Sequence, residues 1–139
     1  MHQAIVDRLK AQVTALKSVK GAAELAALDN RLTVEPAAFV VWLSDRPRGD
    51  GGQVTGHTTQ ILTSTYSVVL AVRRYADPLG GAMADDIQPL RDAVLIALLG
   101  WAPSGCQPFR FAGGEMIGLR DGEVWAQDRW ITDTLYRGP

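Results

Sequence analysis

The stretch from Thr58 to Arg74 alternates with a period of two. Leu62, Tyr66, Val68, Leu70 and Val72 share one parity, which only Ser64 interrupts. Thr63, Thr65, Ser67 and Arg73 take the other, together with Ile61, Val69 and Ala71. A mostly polar second face in the first half predicts a strand covered on one side. The second half is apolar on both faces, which predicts a central place in the sheet. A second long run, Glu123–Arg137, follows Asp121-Gly122, a strong two-residue hairpin signal. At about 3.3 Å per residue, each run would span on the order of 50 Å. A domain of this length is about 37 Å across. Strands longer than their domain must bend at bulges or project, and a projecting strand needs a neighbour.

Helical spacing governs two other segments. Ile5, Leu9, Val13 and Leu16, widened by Val6, predict an amphipathic helix over 3–17, with Ser18 and Gly21 at its exit. Ala22–Leu28 predicts a short second helix, and Asp29-Asn30 a turn. Ile87, Leu90, Val94 and Leu98 form the buried stripe of a helix running to about Leu99, with Met83 extending it and Asp85 and Asp86 suiting its N-terminus. Pro89 is awkward in a helix interior, so the regular helix is expected to begin near Asp86 or to kink there. Gly100 and Pro103 end it. Ala38–Leu43 is a strand. Asp45–His57, with Pro47 and Gly49, Gly51, Gly52 and Gly56, is a mobile loop at the tip of a hairpin. Asp77-Pro78-Leu79-Gly80-Gly81 breaks the first long strand. Phe109–Phe111 and Met116–Arg120 are further strands. The order α, β-hairpin, α, β-hairpin predicts an α+β fold: a mainly antiparallel sheet with helices packed on one face, in two layers, as a single domain over 1–139.

Composition narrows the function classes. The formal net charge of −1 gives no general attraction to nucleic acid or to anionic membranes. Cys106 is the only cysteine, so one chain can build neither an internal disulfide nor a multi-thiolate zinc site. That fits a reducing cytoplasm. Asp7, Lys10 and Lys17 in the first segment do not fit a secretory signal, and the longest apolar run, Ala93–Leu99, is far short of a bilayer span.

Candidate chemistry is sparse. His2 and His57 are the only histidines, and no serine or cysteine has a nucleophile motif around it. A His57–Cys106 pair and an Asp85-Asp86 acid or metal pair are the available options; a loop histidine, a structural thiol and helix N-terminal charges account for the same residues. Gly49-Asp50-Gly51-Gly52 lacks the Lys-Ser/Thr of a phosphate loop. Arg48-Gly49-Asp50 spells an adhesion tripeptide, a pattern too short to carry weight. No catalytic, cofactor-binding or metal-binding residue is assigned. Trp125 and Trp130 have opposite parity on one strand, so in a regular strand they cannot share a core. Either one faces the other side of the sheet, a bulge separates them, or one enters a subunit interface. Arg73, Asp128, Arg129 and Asp133 lie on the same long strands, as surface charges or as intersubunit pairs.

Several stretches carry a family resemblance. They are Ile5-Val6-x-Arg8-Leu9-Lys10, Ala22-Ala23-x-Leu25-Ala26-Ala27-Leu28, Pro36-Ala37-Ala38-Phe39-Val40 and Tyr66-x-Val68-Val69-Leu70-Ala71-Val72-Arg73. The second half adds Asp86-Ile87-x-x-Leu90-Arg91-x-Ala93-Val94, Ala97-Leu98-Leu99-Gly100-Trp101-x-Pro103, Phe111-Ala112-Gly113-Gly114 and Arg120-Asp121-Gly122-x-x-Trp125-x-Gln127-Asp128. In this order the chain resembles the small tail terminator proteins of Mu-like bacteriophages and prophages, whose fold is similar to that of the lambda-type terminator. The resemblance implies a homohexameric ring that caps the tail tube, stops its polymerisation and offers a surface for the head. It implies no enzyme activity and no cofactor. The implied partners are the tail tube protein, the sheath and a head-completion or connector protein, with no direct nucleic-acid or membrane contact. The implied place is the tail neck of a virion assembled in a bacterial cytoplasm. Alternatives are another neck or connector completion protein or, from a different class, a small ligand-binding domain or enzyme. Arg46, Arg48, Asp50 and His57 are the candidate contacts to tube or neck. Arg73, Trp125, Asp128, Arg129 and Trp130 are the candidate subunit interface.

Overall fold

The computed structural model describes residues 1–28, 34–48, 53–54, 57–73, 83–120 and 122–138. The turns expected at Asp29-Asn30 and Asp77–Gly81, the adhesion tripeptide beyond Arg48, and Asp121 lie outside them. Helix α1 spans His2–Gln12 and buries Ile5, Val6 and Leu9. It stops five residues short of the expected end. The Lys17 amide instead bonds the Pro36 carbonyl at 2.9 Å, and Ser18–Gly21 becomes strand β1, parallel to the start of β2 (Ala37–Pro47). The five-residue α2, Ala22–Ala26, follows. Glu24 accepts the Gly21 amide at 3.1 Å, which satisfies one of the free donors at that helix start.

β2 pairs antiparallel with β4 (His57–Arg73), and the short β3 (Gln53–Val54) also pairs with β4. Residues 45–47, expected in the mobile loop, are strand, held opposite Ser64, Thr63 and Leu62; residues 49–52 and 55–56 of that expectation lie outside the described ones. Helix α3 runs Met83–Leu98 with Pro89 inside it. It begins three residues before the expected Asp86. A proline removes one intrahelical bond, while Ile87, Leu90, Val94, Ala97 and Leu98 are all buried against the core. Gly100, at φ 77°, closes the helix.

β5 (Arg110–Arg120) and β6 (Glu123–Gly138) complete the sheet, in the order β1-β2-β4-β6-β5. The two separate strands expected around Gly113-Gly114 are one strand. Two register shifts, Phe111/Gly113 and Met116/Gly118, absorb the irregularity. Gly113 sits at φ 116°, a conformation that side chains disfavour.

β4 and β6, of 17 and 16 residues, pair without a break from Thr58–Gly138 to Arg73–Glu123. The over-length strands are thus each other's neighbour. One face of the sheet meets α1 and α3 in the main core, around Leu9, Val68, Leu70, Val94 and Trp130. On the opposite face, Ala37, Phe39, Val69 and Ala71 form a smaller cluster under Leu25 of α2, with Leu28 and Trp125. β4 is central and its inner half is buried on both sides, as its sequence pattern predicts.

Candidate functional site

Burial ends along a line across the sheet. Val40, Ser64 and Asp133 are the last buried residues of β2, β4 and β6. Beyond them the same strands form an arm of about six residues, roughly 20 Å long. Leu135 and Tyr136 on it are more than half exposed. Because strand side chains alternate, register assigns its residues to faces. Arg46 lies opposite Thr63, which lies opposite Asp133; Thr59 lies opposite Arg137. All five positions share the face turned away from α1 and α3.

Asp133 organises this face. Its carboxylate accepts the Thr63 hydroxyl at 2.6 Å and Arg48 Nη1 at 3.0 Å, with Arg110 Nη1 at 3.5 Å. The Thr63 hydrogen bond and the two guanidinium groups outweigh the cost of burial and hold the Asp133 carboxyl below its usual range. Both arginine side chains stay about half exposed. A groove of about 540 Å³ opens beside them, lined by Arg48, Ile61, Gln107, Pro108, Arg110, Asp133 and Leu135. The face thus carries Arg46, Arg48, Arg110 and Arg137 against Asp133. That is +4 against −1, or +3 among the described residues, on a chain whose formal net charge is −1.

A second ion pair lies on the helix side. Asp128 is 1% exposed and takes a two-pronged contact from Arg91 of α3, with Nη2 at 2.8 Å and Nε at 3.2 Å. The hydrogen bonds to Asp128 raise the Arg91 guanidinium still further above its ordinary value. Gly114 makes room for the pair. A Cβ there would overlap Asp128 Oδ1 and stand 2.6 Å from Arg91 Nη2. Three elements, α3, β5 and β6, are therefore fastened at one point.

The expected interface residues separate on this frame. Asp128 and Trp130 are buried inside the subunit, at 1% and 0% exposure, which removes them from its surface. Trp130 fills the core and meets the edge of Phe111 at 5.4 Å. Trp125 stands on the other face, stacked on Phe39 at 6.1 Å, and its indole donates to Glu123 at 3.1 Å. No register shift in the β4–β6 ladder separates the two tryptophans; opposite faces explain their opposite parity. Arg73 pairs with Glu123 of its own subunit at 2.7 Å, and partly exposed Arg129 with Glu115 at 2.6 Å. Of the expected tube contacts, Arg46 and Arg48 belong to the ordered arm and not to a mobile loop. His57 begins β4, opposite Val54, and Asp50 lies outside the described residues. Arg110, Thr63 and the groove were missed, because the residues that meet there are scattered along the sequence.

The positions of His57 and Cys106 do not bring that pair together. Cys106 bridges Thr134, which pairs with Leu62. His57 is five positions farther along β4, about 16 Å away. Among the described residues, no three of His, Cys, Asp and Glu are grouped to hold a metal. None of their helices is long and apolar enough to cross a membrane.

Comparison with known proteins supplies the context for this arrangement. The family profile described as "Phage tail terminator protein" matches residues 1–138. No curated protein matches the chain. Among solved structures, a chain in "Virion of native gene transfer agent (GTA) particle" superposes with a TM-score of 0.58. The match is 12% identical and covers 98% of this chain and 95% of the other. At that identity the likeness speaks for a shared fold.

Proposed function

The chain belongs to the phage tail terminator family, and from that premise we propose that it closes into a ring, six copies in the Mu-like case, that caps the tail tube and stops its growth. Sheath and a head-completion or connector protein would meet the other side of the ring. The observation that carries this reading is the match over residues 1–138. The arm supports it, since a sheet extended beyond its helix-covered body exposes Leu135 and Tyr136 to a neighbour.

The physical requirement is plain. A tube grows because each added layer exposes another adhesive surface, and a heterologous contact of that kind does not close by itself. A terminator must match the tube end on one side and present a different surface on the other. Within this reading, the hairpin tip beyond Arg48 is the segment that meets the tube. The cognate tube protein, polymerised with and without this chain, provides the test. Short tubes bearing a ring at one end are expected. Tubes of unchanged length with bare ends would contradict the reading. Replacing 49–52 with a shorter linker should leave the ring intact and lengthen the tubes.

A further inference from the structure

The outward side of α3 carries a stripe that the core does not use. Gln88, Asp92, Ile96 and Leu99 recur at helical spacing and are all exposed, Ile96 by 83% and Leu99 by 59%. Gln88 donates to Asp92 at 2.8 Å, which fixes the carboxylate on that surface. The stripe is apolar toward the helix C-terminus and acidic toward the middle, and Asp85 and Asp86 stand in the first turn.

The arm's face has the inverse composition. Ile61 and Leu135 line the groove together with Arg48 and Arg110, and Arg137 follows Leu135 by two positions on the same face of β6. The two surfaces lie on opposite faces of the sheet, since α3 packs on the face of Val68 and Leu70 whereas Ile61, Asp133 and Leu135 have the other parity. We propose that the α3 stripe of one copy docks in the arginine-rimmed groove of the next, Ile96 and Leu99 against Ile61 and Leu135, and Asp92 against Arg110 and Arg137. This rests on the ring reading and gives it an interface. Two different surfaces on opposite faces make a head-to-tail contact, the kind that generates rings when the rotation closes.

Nucleic acid is the other class of partner that a cluster of arginines could take. Two features favour a protein surface. The centre of the groove is apolar, as the middle of a protein interface is, and Asp133 in its floor repels phosphate. Arginine forks also match the geometry of a carboxylate.

Two one-sided variants decide the matter. Arg110→Glu with Arg137→Glu damages the groove, and Asp92→Arg with Ile96→Ser damages the stripe. Sedimentation of the wild type over a wide concentration range should show closed oligomers that weaken with added salt. Each variant alone should be monomeric. Their equimolar mixture should stop at a heterodimer, because only one intact groove and one intact stripe can meet. Arg137→Glu alone repeats the groove test with a milder change, should the double variant fold poorly, and should weaken assembly severalfold. Variants that assemble like the wild type would overturn this interface while leaving the ring reading standing. A wild type that stays monomeric at every concentration and on tube ends would overturn both. Duplex DNA bound by the wild type, and lost in the groove variant with assembly unchanged, would reassign the face to phosphate and overturn the proposal.

Discussion

Asp128 and Asp133 lie five positions apart on one strand and do opposite things with arginine. Asp128 faces the helices, is sealed from solvent and holds one guanidinium in a two-pronged contact under a glycine. Asp133 faces away, holds two guanidinium groups and a hydroxyl, and leaves both arginines about half exposed. The first arrangement commits its charges to the fold. The second keeps a surplus of positive charge on the surface, where a partner can use it. An odd separation along one strand puts them on opposite faces of the sheet.

The contrast can be broken most sharply at the inner pair. Arg91→Ala leaves a buried carboxylate without its cation and should cost about 3–5 kcal/mol, read as a lowered denaturant midpoint. Gly114→Ala should approach the same loss without touching either charge, because its methyl group occupies the space of the Asp128 carboxylate. Wild-type stability in the alanine variant would show that the glycine is not what seats the pair.

At the outer pair the informative variable is pH. The Asp133 carboxyl lies below its ordinary value in the folded chain, so its contribution is present above the unfolded value of about 3.9 and disappears as pH falls through the lower folded value. Asp133→Asn should therefore be less stable than the wild type at neutral pH, and the gap should close in acid. A gap that widens toward low pH would contradict that sign. The smallest effect on stability is expected at Arg110. Arg110→Ala removes an exposed pair and should shift stability by less than about 1 kcal/mol, while weakening assembly. The two readouts should part at Arg110 and move together at Arg91.

Sequence made the frame legible where one pattern runs uninterrupted. The alternation in β4 marked its length, its single covered face and its buried inner half, and the Ile87-Leu90-Val94-Leu98 stripe marked the buried side of α3. β1 was hidden, because Ser18–Gly21 has no strand pattern of its own and exists by pairing with β2. Gly113-Gly114 hides the continuity of β5, and the reason for Gly114 emerges only when Arg91 and Asp128 are seen beside it. For the residues expected at a subunit interface, sequence shows a place on a long strand, but face and burial depend on register and on what α3 covers, and these put Asp128 and Trp130 inside. The Asp133 cluster draws on 48, 63, 110 and 133, which no local pattern joins.

Cryo-electron microscopy of tail tubes assembled with this protein tests the central claim most directly. A closed ring at one tube end is expected, with α3 of each subunit seated on the arginine-rimmed face of the next. Density for single, unjoined subunits at the tube end, or tube ends without this chain, would contradict it.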